Sequence, residues 1–526
     1  MRSWAPGVVA LAGVLSVGSR LPASAPPEGV GAERPRLVLL LAIDQLRYDY
    51  LVRFRDRFEG GLARLLAEGA VFTNAHLEHY PTVTAVGHAT MLSGATPALS
   101  GIVGNDWYDR ETGTSVTSVA DPAVQLVGGT GPGSSPARLL VSTLADELKM
   151  AGRRSRAIGV SFKDRSAILP VGRGADAAYW LDRRTGRFVT STWYLDRLPA
   201  WVAAFNDRRP MEAFAGRRWT DAAGRVLATM PAASGEALTD AVYGSPFGND
   251  LLASFAEKAL EEEGLGQGPG TDVLSVGFSS NDAVGHSSGP DSDEVADITV
   301  RTDQAVGALL AAVDRRVGLG RTLVVLTSDH GVAPVPEVTA KRRLPGGRMK
   351  TADLVDPVEA ALAAAYGPGK WVEGTAGSAL YLSRSLVREK ALDEAAVQAT
   401  AARALAAVPH VARVFTRSQL LLGQVPDDPP SRRVLRSFHP GRSGDLEVLL
   451  EPYWMRSSAG TTHGTPYSYD SHVPLVLVGP GIRPGLCHRA VALNDLAPTL
   501  ATLLEVETPS GSVGTVLVEA LAAAGR

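Results

Sequence analysis

Four runs of apolar residues punctuate the chain, each the length of one strand. Residues 36–43 are apolar without a break after Arg36, and Asp272–Phe278, Thr322–Thr327 and 473–478 follow the same pattern. Runs of this length without polar alternation predict strands buried on both faces, as in a parallel sheet. Pro474 has no amide to donate, so ordered pairing of the fourth run is predicted to begin after it. Apolar residues at helical spacing fill the intervals: 139–150, 250–263 with Asp250 as N-cap, and 293–317. Strands alternating with helices predict an α/β layer fold with a mainly parallel sheet.

Two regions break this rhythm. Residues 170–245 hold many of the Trp and Tyr residues in short alternating runs, and 340–455 include an Ala-rich helical stretch at 392–407. Both read as insertions into a single catalytic domain spanning 36–526. Segments rich in Gly, Pro and Ser at 128–136, 264–270 and 426–431 read as loops. At the start, Arg2, an uncharged apolar run at 5–17 and Ala23-Ser24-Ala25 predict a signal peptide over about residues 1–25. That run is shorter than the roughly 20 residues a spanning helix needs. The expectation is a periplasmic or secreted protein with no stable membrane span. Pro26 directly after the small-residue signal is a poor neighbour for cleavage, so the position of the cut stays open.

Composition narrows the classes. The 526 residues are 45% hydrophobic and 20% charged with a net charge of −3. This balance excludes a disordered, collagen-like or coiled-coil chain. The near-neutral charge also argues against nucleic acid as a specific partner. The single Cys487 excludes an internal disulfide, a Cys-based zinc finger and an iron–sulfur cluster.

The chemistry gathers where the strand runs end. Ile43 leads into Asp44, Phe278 into a polar segment with Asp282 and His286, and Leu326 into Thr327-Ser328-Asp329-His330-Gly331. In open α/β sheets, ligands bind just outside the carboxyl ends of strands. A fourth polar segment, Thr461-Thr462-His463-Gly464, precedes the last strand run. Three carboxylates and three imidazoles form a mixed O/N donor set that suits zinc. Six such ligands suffice for two open sites, and two metals about 3.5–4 Å apart can clamp an in-line displacement at phosphorus. Any one of these residues alone could be a cap or turn residue; their joint placement carries the reading. The nucleophile candidates are Thr82 and Thr84, whose hydroxyls need a base or metal to become reactive.

Taken in order, Asp44, Pro81-Thr82-Val83-Thr84, Gly101-Ile102-Val103-Gly104-Asn105, Lys163-Asp164-Arg165, Asp282 with His286, Asp329-His330-Gly331 and Thr462-His463-Gly464 resemble the alkaline phosphatase superfamily. The likeness is greatest to the PafA-type bacterial alkaline phosphatases with a Thr nucleophile, relatives of the nucleotide pyrophosphatase/phosphodiesterases. It runs from about residue 36 to 505. It implies a three-layer sandwich, a mainly parallel sheet flanked by helices, with inserted cap subdomains. It also implies Thr84 as nucleophile rather than Thr82, since Thr84 stands 21 positions before Asn105, as in the family. One zinc would be held by Asp282, His286 and His463, the other by Asp44, Asp329 and His330 with the Thr84 oxygen, giving two Zn²⁺ per subunit. Asn105, Lys163 and Arg165 would bind phosphoryl oxygens. The implied reaction is hydrolysis of small-molecule phosphate monoesters to an alcohol and inorganic phosphate through a phosphothreonine.

The alternative is a phosphodiesterase or nucleotide pyrophosphatase on the same dinuclear site. Lys163 and Arg165 favour the monoester, whose dianion carries one more charge than a diester. A sulfatase needs a Cys or Ser nucleophile motif that the surroundings of Cys487 do not provide. A phosphoglycerate mutase would be cytosolic, and a metal-stabilised binding protein need not keep every matched position. His88 reads as a hydrogen-bonding residue near the nucleophile, His472 as a support for the His463 loop, and Asp164 as a guide for Lys163 and Arg165. Trp107 and Tyr108 read equally as core or as pocket wall.

Overall fold

The computed structural model describes Met1 and residues 34–522, so the predicted signal peptide lies, Met1 apart, outside the described residues. At the centre is a 12-stranded sheet. Thr322–Thr327, Leu37–Ile43, Asp272–Phe278, Ala157–Ser161 and Ala177–Asp182 lie side by side and parallel. Antiparallel pairings flank them: His472–Val478 then Ala70–His76 on one side, Arg187–Ser191 then Ala120–Val127 on the other. The sheet is thus mostly parallel and covered by helices, the α/β architecture the apolar runs predict.

The central strand shows why those runs have no polar positions. Leu37, Leu39, Leu41 and Ile43 enter one core, and Val38, Leu40 and Ala42 enter the other. On the first face lie Gly61–Glu68, Pro246–Glu262 and Asp293–Arg316. On the second lie Thr84–Ser93, Leu144–Met150 and Leu496–Leu504. A strand between two helical layers has no wet face, so every position is apolar.

Residues 170–245 divide. Ala177–Asp182 and Arg187–Ser191 extend the central sheet, while Arg218–Thr220 and Val226–Thr229 form a separate hairpin. Residues 352–450 build a four-stranded sheet ordered Val372–Ala376, Ala379–Leu382, Leu446–Leu450, Val411–Thr416. Ala352–Tyr366 and Glu394–Ala406 pack on it around a core of their own.

Several boundaries differ from the sequence expectations for local reasons. The helix expected from 139 begins at Leu144, because Thr143 forms a capping box with Asp146. The helix expected from Asp250 begins at Pro246, whose fixed φ suits a first turn, and Asp250 lies inside it. Part of the 426–431 loop is the start of Pro429–Ser437, capped by the Asp428 side chain. Pro132–Ser134, in the expected 128–136 loop, adds a short edge strand. Pairing of the last run starts at Leu475 against Thr327, as Pro474 predicts, but on the other edge His472 and Val473 already pair with His76 and Ala75.

Candidate active site

Strand register brings the chemistry to one edge. Ile43 pairs with Phe278, Ala42 with Thr327, and Gly277 with Ser161. The residues that follow therefore emerge together at the carboxyl ends of adjacent strands. Asp44 leaves the first strand and donates its amide to the Phe278 carbonyl at 3.1 Å. Asp282 and His286 stand one turn apart on Ser280–Ser288, so both project from one helical face. Asp329 and His330 follow Thr322–Thr327, and Lys163 ends the Ala157–Ser161 segment as the cap residue of Asp164–Ile168.

Thr84 is the first residue of Thr84–Ser93. Its Oγ1 lies 3.4 Å from His330 Nε2 and 3.4 Å from Lys163 Nζ. Gly87 allows this seat: a Cβ there would meet the Asp329 carbonyl oxygen at 2.3 Å, so the helix reaches the Asp329 segment only with no side chain at this position. Thr82 points elsewhere and donates to the Thr465 carbonyl at 2.8 Å. The Ala85 amide donates to Asn105 Oδ1 at 2.8 Å. That bond fixes the Asn105 amide and leaves its NH₂ to donate toward the pocket it lines.

The three imidazoles share one hydrogen-bond pattern. Nδ1 of His286, His330 and His463 faces the carbonyls of Thr461, Gly331 and Thr82 at 2.8, 2.9 and 2.8 Å. Each ring is thereby oriented with Nε2 toward the carboxylates, as metal-ligating histidines are. Nε2 lies 3.1 Å from Asp282 for His286, 3.2 Å from Asp329 for His330 and 3.6 Å from Asp282 for His463. Ligand atoms of Asp282, His330 and His463 converge within 4.8 Å of one another, and so do those of Asp44, His88 and Asp329. Asp329 Oδ2 is buried without a hydrogen-bond partner. Asp44 and Asp329 are wholly buried. Three carboxylates so placed, with Lys163 as the lysine among them, form a donor set that fits divalent metal.

Electrostatics follow from this crowding. Burial disfavours charge on Lys163, but Asp282 and Asp44 at 2.6 and 2.9 Å outweigh it and raise its pKa. Burial likewise opposes protonation of His330, yet Asp329 lifts it to about 9. His463 moves the other way: burial, then the neighbouring His330 and His286, hold it well below the usual imidazole range. Asp282 stays well below the carboxylate range because Lys163 and His286 outweigh its burial.

Other residues fall where their environment dictates. His88 Nε2 lies 3.0 Å from Asp44 and 3.7 Å from Asp329, tying the two carboxylates together. Arg165 has a buried Nε without an acceptor. Asp164 accepts the Arg165 amide and the Ser134 hydroxyl. His472 does not support the His463 loop: it faces the Thr73 carbonyl and stacks between Tyr48 and His76. Trp107 is buried and lines the pocket beside Asn105.

Three residues near the site carry no sequence signal. Gln45 donates to Asp282 Oδ1 at 2.6 Å and, through its amide, to Asp329 Oδ1 at 3.1 Å. Tyr243 feels Lys163, Asp282, Asp44 and Arg165 at once, with burial raising its phenol pKa. Glu447 comes from the four-stranded sheet, more than 100 positions from any strand-end motif except His463. Only their adjacency to Asp44 (Gln45) or an unpaired charge in a strand (Glu447) could have marked them.

Comparison with known proteins matches this geometry to a family. Residues 38–461 match the family described as type I phosphodiesterase / nucleotide pyrophosphatase. The chain is 33% identical to alkaline phosphatase PafA of Elizabethkingia meningoseptica over 99% of each chain. It also superposes on the crystal structure of wild-type alkaline phosphatase PafA with a TM-score of 0.87 at 32% identity, covering 93% of this chain and 99% of that one. The chain belongs to the PafA-type alkaline phosphatases. A protein of Myroides odoratus named calcium-transporting ATPase is 36% identical over 93% of this chain and 95% of its own. Among the described residues no helix is long and apolar enough to cross a membrane. As a PafA-type enzyme the chain is a phosphatase, and the Thr84 cluster is its candidate site.

Proposed function

We propose that the protein hydrolyses phosphate monoesters, with two zinc ions per subunit, through a phosphothreonine on Thr84. The observation that carries this reading is the Lys163 ammonium within 3.4 Å of the Thr84 hydroxyl. A cation at that place meets a non-bridging oxygen of any phosphoryl group that Thr84 attacks, and a monoester offers one more such oxygen, with one more charge, than a diester. Arg165, with its unsatisfied Nε, adds a second cationic donor. Asn105, held by Ala85, supplies a neutral one.

Thr84 Oγ attacks phosphorus in line, the bond to the leaving oxygen breaks, and the phosphoryl group rests on Thr84. Water then cleaves the phosphothreonine and releases inorganic phosphate. Zinc held by Asp282, His286 and His463 and by Asp44, Asp329 and His330 would supply Lewis-acid charge. Lys163, Arg165 and Asn105 hold charge on the phosphoryl oxygens throughout. His88 and Gln45 keep the carboxylates in place. The signal-like start supports export to the periplasm or beyond.

The second reading, a phosphodiesterase or nucleotide pyrophosphatase, draws on the family description matched by residues 38–461. Comparing kcat/KM for p-nitrophenyl phosphate and bis-p-nitrophenyl phosphate separates the two. A large monoester preference that collapses in the Lys163→Ala plus Arg165→Ala variant is expected. A diester preference would establish the second reading instead.

A further inference from the structure

We propose that Glu447 sets leaving-group specificity: its carboxylate favours phosphomonoesters whose alcohol carries an ammonium group and turns away those whose alcohol carries a carboxylate or a second phosphate. This rests on the phosphomonoesterase reading of the same site.

The position of Glu447 is fixed by strand alternation. Leu446, Val448 and Leu450 enter the core of the four-stranded sheet subdomain. Glu447 and Leu449 therefore face the opposite side. Leu449 packs there with Tyr80 and Phe438. Glu447 lines a cavity of about 270 Å³ shared with Asn105, His463, Trp107 and Tyr381. That cavity joins the proposed phosphoryl-binding residues to the inserted sheet and, just below the roughly 300–1,000 Å³ of pockets for drug-sized ligands, has room for a small alcohol. A group leaving from phosphorus beside Asn105 and His463 enters it.

Among the described residues no cation pairs with this carboxylate. The cross-strand neighbours of Glu447 are Ala379 and Phe415. Burial raises the Glu447 pKa to about 8, opposed by a hydrogen bond from the Gly444 amide. The nearby arginines are engaged elsewhere. Arg456 donates to the Gly377 carbonyl and, at 2.6 Å, to Thr351. Arg138 and Arg442 sit over the Trp107 ring at 5.7 and 5.2 Å. A half-buried carboxylate with no cation beside it gains from a bound ammonium, and a second anion adds repulsion at short range.

The test measures kcat/KM for three esters of similar size on the zinc-loaded enzyme, above the pH at which Glu447 ionises. The probes are ethanolamine phosphate, ethyl phosphate and phosphoglycolate. Relative to ethyl phosphate, Glu447→Gln is expected to lower ethanolamine phosphate and raise phosphoglycolate, each by about tenfold, the effect of one short-range charge contact. Glu447→Asp keeps the charge and is expected to keep the wild-type order, which reads the proposal even where the Gln variant folds poorly. An equal change for all three esters, or none, overturns the proposal while leaving the monoesterase reading intact. Absence of ethyl phosphate and p-nitrophenyl phosphate turnover by the wild type overturns that reading, and the proposal with it.

Discussion

The Lys163 ammonium lies 3.4 Å from the Thr84 hydroxyl although 79 positions separate the two residues. The same ammonium donates to Asp44 and Asp282, so one side chain joins the predicted nucleophile to ligands of both predicted zinc sites. Lys163→Ala removes the proposed phosphoryl-oxygen donor and leaves the carboxylates less compensated. In the zinc-loaded enzyme, monoester kcat/KM is expected to fall by about 10²–10³. In the metal-free protein, thermal melting is expected to show lower stability than the wild type.

Thr84→Ala removes the oxygen proposed to attack phosphorus. Turnover is expected to fall at least about 10³-fold, and rapid quenching with a labelled monoester is expected to yield no phosphoprotein. Thr82→Ala, which loses only a bond to the Thr465 carbonyl, keeps the covalent label.

Gly87→Ala places a methyl group against the Asp329 backbone, where the Cβ would lie 2.3 Å from the carbonyl oxygen. The Thr84–Ser93 helix must shift away, carrying Thr84 with it. A stability loss of about 1–3 kcal/mol is expected from denaturant melts, with a lower kcat.

Chelation is expected to abolish activity, and added Zn²⁺ to restore it. Bound metal answers the buried Asp44, Asp329 and Asp282 carboxylates, so the melting temperature of the chelated protein should rise as zinc is titrated in. An unchanged melting temperature together with undiminished activity after chelation would rule out metal at this site.

Glu447 gives a pH dependence of fixed sign. Its folded pKa, about 8, lies above the ordinary value of 4.5. Between these values the folded state holds a proton that the unfolded state has lost, so stability falls as pH rises from about 4.5 to about 8. Glu447→Gln cannot ionise. Its stability relative to wild type is expected to improve across that window by on the order of 2 kcal/mol, read from paired melts at the two ends.

The sequence alone determined the architecture and named the residues proposed for the site. Runs such as Leu37–Ile43 carry their burial in their composition, because a strand between two helical layers has no polar positions to spare. Asp44, Asp282, Asp329 and His330 follow those runs directly, and parallel register makes the carboxyl ends of neighbouring strands converge. Boundaries were less legible where a capping box or a first-turn proline competes with apolar spacing, as at Thr143 and Pro246.

Only the tertiary structure decided what reaches the site from a distance. The turn of Asn105 toward the pocket depends on the Ala85 amide, and the seat of Thr84 on contact between Gly87 and Asp329. Tyr243 and Glu447 belong to elements whose own patterns point to packing. Periodicity reports which side of an element is buried; it does not report against what. That choice is made by long-range packing, and it is what places a carboxylate in the middle of a strand in the wall of the cavity that Asn105 and His463 line.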